Sequence, residues 1–154
     1  MNEPIRNSAK ALIIKDGKMA AVKMRDKSGE WYIMPGGGQE PEESLTDCVK
    51  REVVEELGLE IIPKELVFAV EGMHGERFHR VDLVFLCEYV REINGAQFQY
   101  DENQVGYDWL DIDTLLLKPL YPSKLRRQIM KLYHGEKYRV YLGNEEVGDP
   151  EYLD

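Results

Sequence analysis

The sequence predicts an α+β fold, a mixed β-sheet with helices packed on it, from three observations. Asp16-Gly17 separates two apolar-rich runs, Asn7 to Ile14 and Met19 to Met24, which is a strong short-range hairpin signal. Ser44-Leu45-Thr46-Asp47 reads as a capping box opening a helix, and Gly58 falls where a left-handed C-terminal residue belongs. Two further apolar runs, Val67 to Val70 and Val81 to Leu86, read as buried strands.

Taken in order, the first two runs form the hairpin, and Trp31 to Met34 is a third extended piece. It leads into Pro35-Gly36-Gly37-Gly38, where three consecutive glycines argue against regular structure and permit unusual backbone angles, so a loop is expected. The helix covers Leu45 to Leu57. The strands at 67–70 and 81–86 are joined by the polar turn Met73-His74-Gly75-Glu76-Arg77 and can pair antiparallel. After an acidic loop at Asp101-Glu102-Asn103, Tyr107 to Leu110 resembles a short strand. Ser123 to Tyr133 carries Leu125, Ile129 and Leu132 at helical spacing. Gly143 to Asp154 is polar and acidic, a tail whose order is in doubt.

At 154 residues and 43% apolar content, one domain (1–154) is expected, with its core from about 9 to 132. A chain of this length buries roughly two thirds of its unfolded surface, enough to fold without disulfides or a structural metal. Collagen-like, disordered and membrane-spanning classes are excluded by composition. The first residues, Met1 to Arg6, lack the apolar run of a secretory leader, so a cytoplasmic location is expected. Cys48 and Cys87 stand far apart with no zinc-type spacing and read as small buried apolar residues.

The net charge is −9, which disfavours nucleic-acid backbones as partners. It is unevenly spread. Between Glu40 and Glu60, eight acids stand against Lys50 and Arg51. Within that stretch Glu52, Glu55 and Glu56 occupy positions i, i+3 and i+4, which puts three carboxylates on one helix face. A glutamate-rich helix face is ordinarily just solvated. Here the same arc holds Leu45, Cys48 and Val49, so the carboxylates border an apolar face and call for a cation. Oxygen donors in this number suit Mg²⁺ or Mn²⁺ better than zinc.

The spacing runs Gly37, five residues, Glu43, seven residues, then Arg51-Glu52-Val53-Val54-Glu55-Glu56-Leu57-Gly58-Leu59. Over these residues the chain resembles the Nudix hydrolase family, of MutT type, matching its signature at every defined position. The resemblance implies an α/β/α sandwich that holds divalent metal against a diphosphate and hydrolyses a nucleoside diphosphate linked to another group. It implies Glu52, Glu55 and Glu56 as metal ligands with the Gly37 carbonyl, and Arg51 and Glu43 as residues that orient them. Family members take the general base either from a signature glutamate, here Glu52, or from an outside loop, where Glu102 is the candidate and Asp101 its neighbour and rival.

Phosphate also needs positive or N–H partners, for which Lys23, Arg25, Arg77 and the glycines Gly36, Gly37 and Gly38 are the candidates. Arg80 is a further candidate cation across the second turn, His74 and His79 flank that turn as candidates to stack on or hydrogen-bond a base, and Trp31 and Tyr32 are candidates to face a nucleobase. The downstream marks of the ADP-ribose, dinucleoside polyphosphate, NADH and coenzyme A subgroups are missing, leaving a nucleoside triphosphate or a nucleotide sugar as substrate. The short chain favours a free nucleotide. A small-molecule nucleotide is the expected partner, without nucleic acid or membrane, and the protein is a possible homodimer. The alternative is a catalytically silent ligand-sensing module on the same fold, which the intact glutamates oppose. An isomerase relative would need a cysteine in a motif that neither Cys48 nor Cys87 occupies.

Overall fold

A computed structural model describes residues 4–74, 78–100, 102–146 and 148–150. The hairpin forms as the sequence predicts: strands β1 (Ile5–Lys15) and β2 (Lys18–Asp26) pair antiparallel around Asp16 and Gly17. Both turn residues have positive φ, 52° and 76°, the combination that matches the right-handed twist of the strands. Strand β3 (Gly29–Ile33) adds to β2.

The glycine run corrects the expectation of a loop. Gly36–Gly38 is a short strand, β4, antiparallel to β1 with Ala9 opposite Gly37. The reason is close approach. A Cβ at Gly36 would lie 2.1 Å from the Ala9 carbonyl oxygen, and its φ of +133° is one that side-chain-bearing residues rarely adopt.

Helix α1 (Leu45–Leu57) has the predicted bounds. Ser44 accepts from the Asp47 N–H at its start, and Gly58 closes it at φ 66°. Strands β5 (Leu59–Gly72) and β6 (His79–Glu92) pair antiparallel as expected but run far beyond the predicted cores. Strand β7 (Gln104–Asp111) pairs with β2 and is followed by a 3₁₀ segment, Ile112–Leu117. Strand β8 (Leu120–Tyr121) joins β3, and helix α2 (Lys124–Tyr133) follows.

The stretch expected to be a doubtfully ordered tail is built into the fold through residue 146. Strand β9 (Tyr141–Asn144) lies parallel to β5. Beyond it, the Glu145 carboxylate accepts from the Ser123 and Lys124 N–H groups at 2.8 and 3.1 Å and from the Ser123 hydroxyl. An acid from the chain end therefore satisfies the open N-terminus of α2. Residues 151–154 lie outside the described residues.

The sheet runs β8-β3-β2-β1-β6-β5-β9, with β4 on β1 and β7 on β2, and β1 is parallel to β6. Its two faces carry separate cores. Ala9, Ala11 and Ile13 of β1 meet Cys48, Val49, Val53 and Leu57 of α1, whereas Leu12 meets Phe68, Leu125 and Ile129 beneath α2. This is the α+β sandwich that the alternation along β1 dictates. Among the described residues no helix is long and apolar enough to cross a membrane.

Candidate active site

Arg51 organises the acidic face of α1. Its Nε and Nη2 donate to the two oxygens of Glu43 at 2.7 and 3.0 Å, while Nη1 lies 3.0 Å from Glu52 Oε1 and 3.5 Å from both Glu55 oxygens. This guanidinium holds the Glu43 carboxyl down at about 2. The carboxylates in turn raise Arg51 above its ordinary range, the Glu43 hydrogen bond most of all.

The glycine strand brings the backbone to the same face. Glu56 is 2% exposed, and its Oε1 accepts from the Gly36 N–H at 2.7 Å. At Gly37 an added Cβ would lie 2.6–2.7 Å from the Glu52 carboxyl atoms, so that carboxylate rests directly on the glycine. Cys48 Sγ lies 3.4 Å from the Gly37 carbonyl oxygen, and burial pushes its thiol up to about 11. Cys87 is raised to about 12 for the same reason, so both cysteines are the buried apolar fillers expected of them.

As the side chains stand, no three His, Cys, Asp or Glu groups among the described residues converge as a metal site. Arg51 instead bridges Glu43, Glu52 and Glu55. The donor set nevertheless fits a hard divalent cation: three carboxylates on one face, all oxygen, against a glycine where any side chain would fill the cradle.

The turn carrying Glu102 lies beside the end of α1. The Arg25 N–H donates to the Asn103 carbonyl at 2.8 Å, and Gln104 Nε2 donates to the Glu56 carbonyl at 3.2 Å. Glu102 itself is exposed. Its rival Asp101 and the candidate Arg77 lie outside the described residues.

Lys23 and Arg25 are already paired: Lys23 with Glu30 and Asp108 at 3.6 and 3.7 Å, Arg25 with Glu30. Tyr32 donates to Asp108 at 2.6 Å, which pushes its hydroxyl up to about 12. His79 Nε2 lies 2.8 Å from Glu71, and His74 meets Glu146 through both its N–H and its ring. None of these contacts ties the residues to the acidic face.

Sequence reasoning missed a cleft of about 770 Å³ lined by Lys10, Trp31, Arg80, Asp82 and Glu145 among others, none of them on the acidic face. Lys10 connects it to the glycine strand, since Nζ donates to the Gly36 carbonyl at 3.4 Å. The available signal was Lys10 itself, a charge within the otherwise apolar run Ala9–Ile14 and on the same face as the buried Leu12.

Comparison with known proteins agrees with the motif. Residues 4–132 match the model of the NUDIX domain. The human protein "Nucleoside diphosphate-linked moiety X motif 6" is 30% identical over 103 residues, which is 64% of this chain but only 31% of that protein. The chain thus spans about a third of the length of this curated relative. A NUDIX hydrolase from Nitrosomonas europaea superposes with a TM-score of 0.68 at 24% identity, covering 88% of this chain and 92% of that one. An ADP-ribose pyrophosphatase from Streptococcus suis gives 0.64 at 21% identity, covering 91% and 98%. These two likenesses are of fold. The matched domain, together with the complete signature from Gly37 to Leu59, establishes that the chain belongs to the NUDIX domain family.

Proposed function

We propose that this protein hydrolyses a diphosphate bond in a nucleoside diphosphate joined to another moiety, a nucleoside triphosphate or a nucleotide sugar, by attack of water at phosphorus. The observation that carries the reading is the acidic face of α1 against the glycine strand: Glu52 lies against Gly37, Glu56 accepts from the Gly36 N–H, and Arg51 holds Glu52 and Glu55. In this reading Glu52, Glu55, Glu56 and the Gly37 carbonyl hold Mg²⁺ or Mn²⁺. When bound, such an ion neutralises the diphosphate and lowers the pKa of the attacking water.

The chain's own residues do the positioning. Glu43 fixes Arg51, and Arg51 fixes the Glu52 and Glu55 carboxylates before substrate arrives. Glu52 or the loop residue Glu102 accepts the proton of the water. Gly36, Gly37 and Gly38 let the diphosphate approach the backbone closely, with Lys23, Arg25 and Arg77 as supplementary cations. Lys10, joined to Gly36 and lining the cleft, is a better placed cation than Lys23 or Arg25, which are spent on Glu30 and Asp108. The protein acts as a single domain in the cytoplasm on a small nucleotide, and a homodimer is compatible with this reading.

The test is phosphate or pyrophosphate release from nucleoside triphosphates, ADP-ribose, nucleotide sugars and dinucleoside polyphosphates, with Mg²⁺, with Mn²⁺ and with chelator. Metal-dependent turnover that Glu55→Gln abolishes is the expected result. Silence across the panel, with retained nucleotide binding, would replace it with the ligand-sensing reading.

A further inference from the structure

Asp82 is a buried carboxylate at the cleft, 3% exposed, on β6 and far in sequence from the signature. Its Oδ2 accepts from Arg80 Nε at 2.9 Å. Its Oδ1 is buried and has no hydrogen-bond partner among the described residues. A buried acceptor left unmatched is costly, and native proteins keep few of them. The surroundings hold it in place. The Arg80 guanidinium lies over Gly72, so close that an added Cβ there would sit 2.7 Å from it. Ser8 is opposite Asp82 in the parallel β1–β6 pairing.

The cleft lining beyond Lys10 and Arg80 is rich in acids, with Asp82 joined by Glu145, Glu146 and Asp149 from the chain end. Those last three lie beyond the residues that match the family model. Such a wall repels further phosphate or an acidic sugar and favours a neutral group with N–H donors. Trp31 and Ile33 from β3 give the same cleft an apolar side suited to a planar ring.

We propose that Asp82 is a specificity-determining residue whose Oδ1 accepts a hydrogen bond from the amino group of the substrate's nucleobase. This deepens the hydrolase reading and rests on it. Substrates with an amino-bearing base are then preferred over those lacking it, because only the amino group matches the buried acceptor.

The experiment measures binding of non-hydrolysable products by calorimetry in chelator, so that it does not depend on turnover. The probes are GMP against IMP, AMP against purine riboside monophosphate, and glucose 1-phosphate. The full chain is expected to bind the amino member of at least one nucleotide pair about tenfold or more tightly. In Asp82→Asn the side-chain oxygen stays with Arg80 and an N–H₂ takes the place of Oδ1, so that preference is lost. Equal affinity within both pairs in the unaltered chain, or no binding of any nucleotide, overturns the assignment even if Asp82→Asn fails to fold. A variant effect confined to glucose 1-phosphate overturns it too. Failure of the hydrolase reading is seen separately, as absence of metal-dependent turnover.

Discussion

Arg51 and Glu43 are joined at two points, Nε to Oε2 at 2.7 Å and Nη2 to Oε1 at 3.0 Å, across the start of α1. The fork-to-fork contact fixes the guanidinium so that its remaining nitrogen reaches Glu52 and Glu55. One carboxylate thereby positions two others on the acidic face.

We predict that this contact is visible in the pH dependence of stability. Glu43 titrates near 2 when folded against 4.5 ordinarily, mainly through its hydrogen bond from Arg51. The unfolded chain therefore binds the proton more tightly, and the stabilisation is present above about 4.5 and lost as pH falls toward 2. The melting-temperature gap between the unaltered chain and Glu43→Gln should be open at pH 6 and narrow steadily below that range. A gap that does not change with pH would show that the carboxylate charge of Glu43 adds nothing to folding.

Adjacent glycines should respond differently. At Gly36 an added Cβ meets backbone, 2.1 Å from the Ala9 oxygen, at a φ of +133°. Gly36→Ala should therefore cost on the order of 1–3 kcal/mol or more in stability. At Gly37 the obstacle is the Glu52 side chain, which can move. Gly37→Ala should keep most of the melting temperature and lower kcat about tenfold or more. Paired urea titrations and steady-state kinetics on the two variants separate the effects. The reverse pattern would mean that Glu52 is not a working ligand.

The legible and illegible parts of this chain divide on physical grounds. The hairpin and α1 were readable because their signals are local: Asp16-Gly17 sets its own turn, and Ser44 and Gly58 cap their own helix. Strand β4 was not readable, since three glycines carry no pattern and their pairing is decided by β1, more than twenty residues earlier. The outer halves of β5 and β6 were missed because Pro63 and three register shifts break the alternation, and Ile62, Leu66 and Val90 face outward. The acidic face of the site was visible as one motif. Its cleft was not, because Lys10, Asp82 and Glu145 are single residues in three distant segments that only the folded chain assembles.

Divalent metal should stabilise the protein through the acidic face. Glu52, Glu55 and Glu56 repel one another within a single turn, and a cation bound only by the folded chain raises stability by about 2.7 kcal/mol at one hundred times its Kd. Saturating Mg²⁺ should thus raise the melting temperature by several degrees, and Glu55→Gln should lose most of that rise while keeping native circular dichroism. An identical rise in both proteins would place the binding elsewhere and remove Glu55 from the ligand set.

Glu145 gives a final expectation, in which stability and cleft shape are linked. Its carboxylate accepts from two backbone N–H groups at the start of α2 and from the Ser123 hydroxyl, and it also lines the cleft. Loss of a helix-capping side chain costs about 1–2 kcal/mol, and here no local residue replaces it, because Ser123 makes no side-chain cap of its own. Glu145→Ala should therefore lower the melting temperature by roughly 2–8 °C for a chain of this size. Glu145→Gln keeps one acceptor oxygen and should recover part of the loss. The core beneath α2, where Leu125 and Ile129 are buried, does not involve Glu145 and should stay intact in both variants. Measured by thermal melts at neutral pH, an unchanged melting temperature in Glu145→Ala would mean that water caps α2 equally well and that the chain end is not needed to hold this wall of the cleft.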